Sequence, residues 1–147
     1  MAASLGYANA KYKDFLTGEV DENGVPIDFA GNRLALAPEW TGNFSTQYRW
    51  GAFDWSDLSI RAEGSYQSSS YSDAQNTEEF KSDAFTLVSL RFGFVAPTDT
   101  WSFTFWVNNL FEEEVWAYAS PNNIPWPGRI FQPINPRTYG IEARFNF

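Results

Sequence analysis

Thr138-Tyr139-Gly140-Ile141-Glu142-Ala143-Arg144-Phe145-Asn146-Phe147 closes the chain, and its apolar residues fall on every second position. Tyr139, Ile141, Ala143, Phe145 and Phe147 would share one face of a β-strand, with Thr138, Gly140, Glu142, Arg144 and Asn146 on the other. The same period of two recurs upstream. Trp101, Phe103, Phe105 and Val107 alternate with Ser102, Thr104 and Asn108, with Trp106 the one exception on the polar side. Within Phe85–Val95, Val88, Leu90, Phe92 and Phe94 oppose Ser89, Arg91 and Gly93. Leu58, Ile60, Ala62, Gly64 and Tyr66 oppose Ser59, Arg61, Glu63, Ser65 and Gln67, and Phe44, Thr46, Tyr48 and Trp50 oppose Asn43, Ser45, Gln47 and Arg49. A weaker sixth segment runs from about Ala3 to Lys13, around Leu5 and Tyr7. Six strands and no convincing helix predict an all-β fold.

The connections alternate in length: residues 14–38 long, 51–56 short, 70–83 long, 96–100 short and 110–136 long. The short ones carry Gly, Pro and Asp as breakers and read as tight turns. In an up-and-down antiparallel sheet every short turn then lies at one end and every long loop at the other, the asymmetry of a transmembrane β-barrel. Trp50, Phe53, Trp55 and Trp101 gather beside the short turns, where an aromatic girdle would meet the membrane boundary. The long loops, rich in Asp, Glu, Asn, Gly and Pro, read as solvated. Strand charges (Arg49, Arg61, Glu63, Arg91, Glu142 and Arg144) fall on the polar faces. An Arg turned to lipid at the midplane costs about 2–4 kcal/mol, so this placement suits a barrel with an apolar outside. Alternation alone also suits a soluble β-sandwich that binds carbohydrate through exposed Trp and Tyr.

Composition removes other classes. The chain of 147 residues is 44% hydrophobic and 19% aromatic, too apolar for a disordered chain and long enough for one domain. It has neither Cys nor His, which removes disulfides, thiolate or imidazole metal sites and the Ser-His-Asp triad. The expectation is a protein that is not an enzyme and has no cofactor. A carboxylate hydrolase using Glu63 and Glu142 as acid and base would need both side chains at one site. Net charge is −8, and no Lys/Arg cluster is present to track a phosphate backbone, so no nucleic-acid partner is expected. No apolar run of 18 residues exists for a membrane helix, whereas a membrane strand needs only about 10. Met1-Ala2-Ala3-Ser4 does not read as a signal peptide.

Three segments resemble TonB-dependent receptors of Gram-negative outer membranes. Leu36-Ala37-Pro38-Glu39-Trp40 is similar to that family's "AP-x-[WH]" lead-in to a late barrel strand. Val107-Asn108-Asn109-Leu110-Phe111-Glu112 resembles its "v-x-NLFd" segment at the end of the penultimate strand. Pro136-Arg137-Thr138-Tyr139-Gly140, running to Phe147, resembles its closing "P-R-T-[YW]-G" strand with a C-terminal aromatic. One departure is local: Glu112-Glu113-Glu114-Val115-Trp116 stands where a Tyr commonly follows "NLFd".

The resemblance implies a barrel of about 22 strands around a plug, uptake of a scarce ligand (siderophore, cobalamin or oligosaccharide), and energisation through TonB. Residues 1–147 would be the last six strands, without the plug or the TonB-binding box. The implied partners are outer-membrane lipid, the rest of the barrel and plug, TonB through the missing N-terminal part, and the outer-membrane assembly machinery. Tyr139, Phe145 and Phe147 would form the sorting signal which that machinery reads. Trp116, Tyr118, Trp126 and Phe131 lie in a last loop stiffened by Pro121, Pro125, Pro127, Pro133 and Pro136, and are candidates to stack on a glycan or chelate. Asp21-Glu22-Asn23-Gly24 and Glu112-Glu113-Glu114 lack the spacing of a calcium loop and read as solvated acidic segments.

An open six-stranded sheet in lipid leaves two edges of unpaired backbone groups, each costing several kcal/mol. The segment therefore reads as an incomplete barrel: a piece of a longer receptor, a truncated product, or one chain of a shared barrel.

Overall fold

The computed structural model describes residues 1–122 and 128–147. β1 (Ala2–Tyr7) leads into a long connection holding β2 (Leu16–Val20) and β3 (Pro26–Asp28). β4 (Trp40–Phe53) and β5 (Ser56–Gln67) form the longest hairpin. The next connection holds β6 (Ser70–Tyr71), a 3-10 turn at Glu78–Phe80 and β7 (Lys81–Ser82). β8 (Phe85–Val95) and β9 (Trp101–Asn108) make a second hairpin, β10 (Trp116–Asn122) and β11 (Gly128–Pro133) occupy the last long connection, and β12 (Thr138–Phe145) closes the chain.

Six of these strands build one antiparallel sheet in the order β1-β4-β5-β8-β9-β12, an open meander without crossovers. These are the six segments whose alternation predicted strands. The first is shorter than its pattern, ending at Tyr7 rather than near Lys13. The long connections are not plain loops, because each carries a two-stranded hairpin of its own. The first short turn tightens to Asp54-Trp55, as β4 continues through a bulge to Phe53.

Register joins the alternating faces into continuous surfaces. Tyr48, Ile60, Phe92, Phe105 and Ile141 lie side by side across β4, β5, β8, β9 and β12, as do Trp50, Leu58, Phe94, Phe103 and Ala143. A slip of one residue in any pair would turn that strand's apolar set to the opposite face. No second sheet covers the apolar face among the described residues. Leu5, Tyr139 and Ile141 stand 72%, 80% and 69% exposed, and the buried apolar residues Phe80, Ala96 and Ala119 all lie outside the six strands. A soluble sandwich needs that second layer, so the described residues do not form the sandwich that alternation alone also allowed.

Both rims of this face are aromatic. At the short-turn end Trp55 stacks on Phe53, with centroids 5.2 Å apart, and on Trp101 at 6.1 Å, while Tyr48 stacks on Trp50 at 5.5 Å. At the long-loop end Tyr7 and Trp40 pair at 4.6 Å, with Tyr66 and Tyr139 on the same face. The sequence reading found the first rim and missed the second, whose members are scattered over four strands. Along β4 the ten-residue step from Trp40 to Trp50, at about 3.4 Å per residue and a tilt of about 40°, rises about 26 Å, close to the apolar band of about 25 Å in membrane barrels.

The odd Trp106 is explained by β12. It lies opposite Gly140 on the polar face, and its indole fills the space a side chain there would need. A large aromatic covering a strand glycine replaces the packing that the glycine lacks.

Candidate functional site

All three long connections meet at one end of the sheet, and their side chains brace them together. In the first, Tyr12, Phe15 and Phe29 form a ring cluster with centroids 4.8 and 5.5 Å apart. The tip of its hairpin is an Asp turn: Asp21 Oδ1 accepts the backbone N–H of Asn23 at 2.8 Å and of Val25 at 2.9 Å. These N–H donors, Val25 first, hold the Asp21 carboxyl below its ordinary range. Asp21-Glu22-Asn23-Gly24 is thus turn chemistry.

The first and second connections are cross-linked through Asn76. Its Oδ1 accepts the Arg33 N–H at 2.7 Å, and its Nδ2 donates to the Arg33 carbonyl at 2.9 Å. Asn32 donates to the carbonyls of Ala74 and Gln75, and the Arg33 guanidinium donates to the Ser69 carbonyl at 2.8 Å. Asn76 sits at φ 59°, a conformation that Asn tolerates better than most residues. Tyr71 lies between two cations, with Arg33 5.7 Å and Lys81 5.6 Å from its ring centroid, and donates its hydroxyl to Glu78. Tyr71 and then Lys81 hold the Glu78 carboxyl below its ordinary range, and the bond to Glu78 raises the Tyr71 phenol.

The second and third connections meet where Ala119 N–H donates to Ser72 Oγ at 3.1 Å and Arg129 pairs with Glu79. On the third, Trp116 and Phe131 come together at 5.0 Å between centroids, tilted by 44°, and both rings are exposed. Tyr118, half-buried, is paired with Gln132 two residues along β10 from Trp116. Trp126 lies outside the described residues. The structure thus brings together two of the four aromatics picked from the sequence, on a hairpin braced by its neighbour.

The base of this connection unites the two C-terminal motifs. Asn109, buried, donates to the carbonyls of Glu113 and Asn135, and its Oδ1 accepts the Glu113 N–H at 2.9 Å. Glu112 pairs with Arg137 at 2.7 Å, and Asn108 is in register with Thr138. The Glu112 carboxylate and the Glu113 backbone are therefore engaged in holding the strand ends, and among the described residues no cluster of His, Cys, Asp or Glu is placed to hold a metal ion.

At the opposite end Arg49 clamps both short turns. It reaches Asp57 and Asp99 at 3.0 Å each and the Ala96 carbonyl at 3.4 Å. Asn146 ties the C-terminal segment to the same turn through the Asp99 carbonyl at 2.7 Å. Tyr139, Phe145 and Phe147 are all exposed on the apolar face or just past its end, and Phe145 meets Phe103 edge-on at 5.9 Å. Glu63 and Glu142 do not share a site. They lie on β5 and β12, three strand spacings or about 14 Å apart, and each is paired with an Arg of its own strand. Acid and base roles need a separation under about 10 Å.

A meander with an apolar outer face, aromatic rims, short turns at one end and braced loops at the other defines wall of an outer-membrane-type β-barrel. The chain belongs to the TonB dependent receptor-like, beta-barrel family, whose model matches residues 1–110. Proteins of this family are outer-membrane receptors and transporters rather than enzymes. Its fold is similar to that of the ferric yersiniabactin uptake receptor FyuA from Yersinia pestis, with a TM-score of 0.70 at 21% identity. That match covers 81% of this chain and 18% of the FyuA chain, so the chain spans under a fifth of the receptor it resembles.

Proposed function

We propose that residues 1–147 are the C-terminal part of the barrel of a TonB-dependent receptor, and that the whole receptor takes up a scarce ligand of the siderophore, cobalamin or oligosaccharide class across the outer membrane. The observation that carries this reading is the single-layered sheet, apolar on one face and banded by aromatics, within this family. The missing part would supply the remaining barrel, the plug and the segment that engages TonB. This part supplies wall and loops, with no catalytic step and no cofactor.

Two sites follow. The exposed pair Trp116 and Phe131, with Tyr118 and Trp126 on the same connection, is proposed as a ligand-stacking surface, supported by the bracing that holds the hairpin in place. Tyr139, Phe145 and Phe147 are proposed as the sorting signal for the assembly machinery, supported by their exposure beside the anchored Asn146.

Fractionation of source-cell membranes, blotted with an antibody to Trp116–Phe131, tests the reading. A band several-fold heavier than 16.7 kDa in the outer membrane is expected. A band of 16.7 kDa in the soluble fraction would overturn it.

A further inference from the structure

Asn23-Gly24 is the single Asn-Gly pair in the sequence, and it sits at the tip of the β2–β3 hairpin. Every residue from Asp21 to Pro26 is exposed. Gly24 holds a φ of 78°, and the place where a Cβ would stand has no atom within 4 Å, so no side chain screens its backbone nitrogen. What closes the tip is local. Gly24 N–H donates to the Asp21 carbonyl at 2.9 Å, Asp21 N–H donates to the Val25 carbonyl at 2.8 Å, and the Asn23 side chain bonds the Asp21 carboxylate. The hairpin is a separate sheet of two strands whose register breaks between Leu16 and Val20, and a lone pair of strands is marginally stable in water. Its tip therefore opens at low cost. Three other asparagines of the connections are tied down. Asn32, Asn76 and Asn109 each donate their amides to carbonyls distant in the chain, and each precedes a residue with a side chain, Arg33, Thr77 and Leu110. The N–H groups of Arg33 and Leu110 are in turn held by Asn76 and Val88.

We propose that Asn23 is a site of spontaneous covalent modification, at which the Gly24 nitrogen closes on the Asn23 side chain, converts it to aspartate and isoaspartate, and loosens the hairpin tip. When the turn opens, the Gly24 amide gives its proton to base and the nitrogen attacks Asn23 Cγ. The new N–Cγ bond closes a five-membered imide. The Cγ–Nδ2 bond breaks, and the departing nitrogen takes up a proton and leaves as ammonia. Water, the one co-reactant, then adds to either imide carbonyl. Cleaving the new bond restores the main chain with aspartate at position 23, whereas cleaving the original peptide bond runs the main chain through the former side chain as isoaspartate. Both products set a new carboxylate beside Asp21 and Glu22, where like charges repel. Isoaspartate also adds one carbon to the backbone inside the turn, between the Asn23 and Val25 N–H groups that Asp21 Oδ1 accepts together. The turn cannot keep both bonds at that length. This chemistry does not depend on what the whole receptor transports.

The test holds the folded full receptor in mildly alkaline buffer, where the attacking nitrogen loses its proton more readily, and samples it over days. Trypsin cuts after Lys13 and Arg33 and releases Asp14–Arg33 as one peptide, with Asn23 and Asn32 both inside it. Fragmentation mass spectrometry is expected to place a gain of about 1 Da on Asn23, with isoaspartate among the products. Asn23 is expected to convert about tenfold or more faster than Asn32, whose amide must first leave two carbonyls. N23Q keeps an amide but would have to close a six-membered ring, and is expected to lose the gain. Protease cutting within residues 16–28 is expected to be faster in converted than in fresh receptor. A gain that reaches Asn23 only after the receptor is unfolded would overturn the inference, because the turn would then protect the pair. Conversion of Asn32 first, a gain undiminished in N23Q, or unchanged cutting of converted receptor would overturn it too. A soluble 16.7 kDa product that still converted Asn23 would remove the proposed function and leave this inference standing.

Discussion

Trp106 occupies the space that a side chain at Gly140 would need, with indole atoms 2.6, 2.9 and 3.2 Å from the ideal Cβ position. Gly140→Val should therefore force the indole off the sheet and destabilise the β9–β12 pairing by about 1–3 kcal/mol. Urea titration of the folded receptor, followed by its heat-modifiable band, measures this. Trp106→Ala should cost less, since it leaves a bare glycine and no clash. The Glu78 cluster carries a pH dependence. Its folded pKa is lowered, so the contribution is present above the ordinary value of 4.5 and is lost as pH falls through the folded value. Tyr71 is raised, so its side of the same bond persists below the ordinary 10.0 and is lost as pH rises through the folded value. Hydrogen-exchange protection over residues 70–82, corrected for the intrinsic pH dependence of amide exchange, should thus be greatest at mid-range pH and fall at both extremes. Glu78→Gln should remove the acid limb.

At the scale of elements, Asn76 joins two connections that the strands alone would leave independent. Asn76→Ala removes both bonds to the Arg33 backbone and puts a less tolerant residue at positive φ, at a cost of about 1–3 kcal/mol. Asn76→Gly loses the same bonds but keeps the conformation, and should fall between Ala and wild type. Protease cutting within residues 11–35 and 70–83 of membrane-embedded receptor ranks the three. None of this bracing was legible beforehand. The long connections were readable as loops from their Gly, Pro and Asp content, but Arg33 and Asn76 are 43 residues apart and neither belongs to a motif. The strands were legible because alternation is a local signal, and the last two motifs were legible as segments. That Asn109, Glu112 and Arg137 bind those motifs into one strand-end junction depends on β9 and β12 being neighbours.

At the scale of the molecule, the two aromatic rims and the register define which side meets lipid. In the receptor reconstituted in bilayers, single-tryptophan variants retaining Trp50 or Trp40 should be quenched by brominated acyl chains near the interfaces. A variant retaining only Trp106 should resist quenching, because it shares the polar face with Arg91. Strong quenching of Trp106 would mean that the faces are assigned the wrong way round. Isolated residues 1–147 should fail to give a heat-modifiable barrel, since β1 and β12 each leave one edge unpaired in lipid.

The sequence by itself determined the all-β class, the six sheet strands, the apolar and polar faces, the end at which the short turns lie, and the family. All of these depend on the period of side chains along a strand and on short local motifs. Only the tertiary structure decided that the sheet has no second layer among the described residues, that an outer aromatic rim exists, and that the three long connections form one braced layer. Those properties depend on which strands are neighbours and in what register, and the free energies that choose neighbours are contacts between residues far apart in the chain.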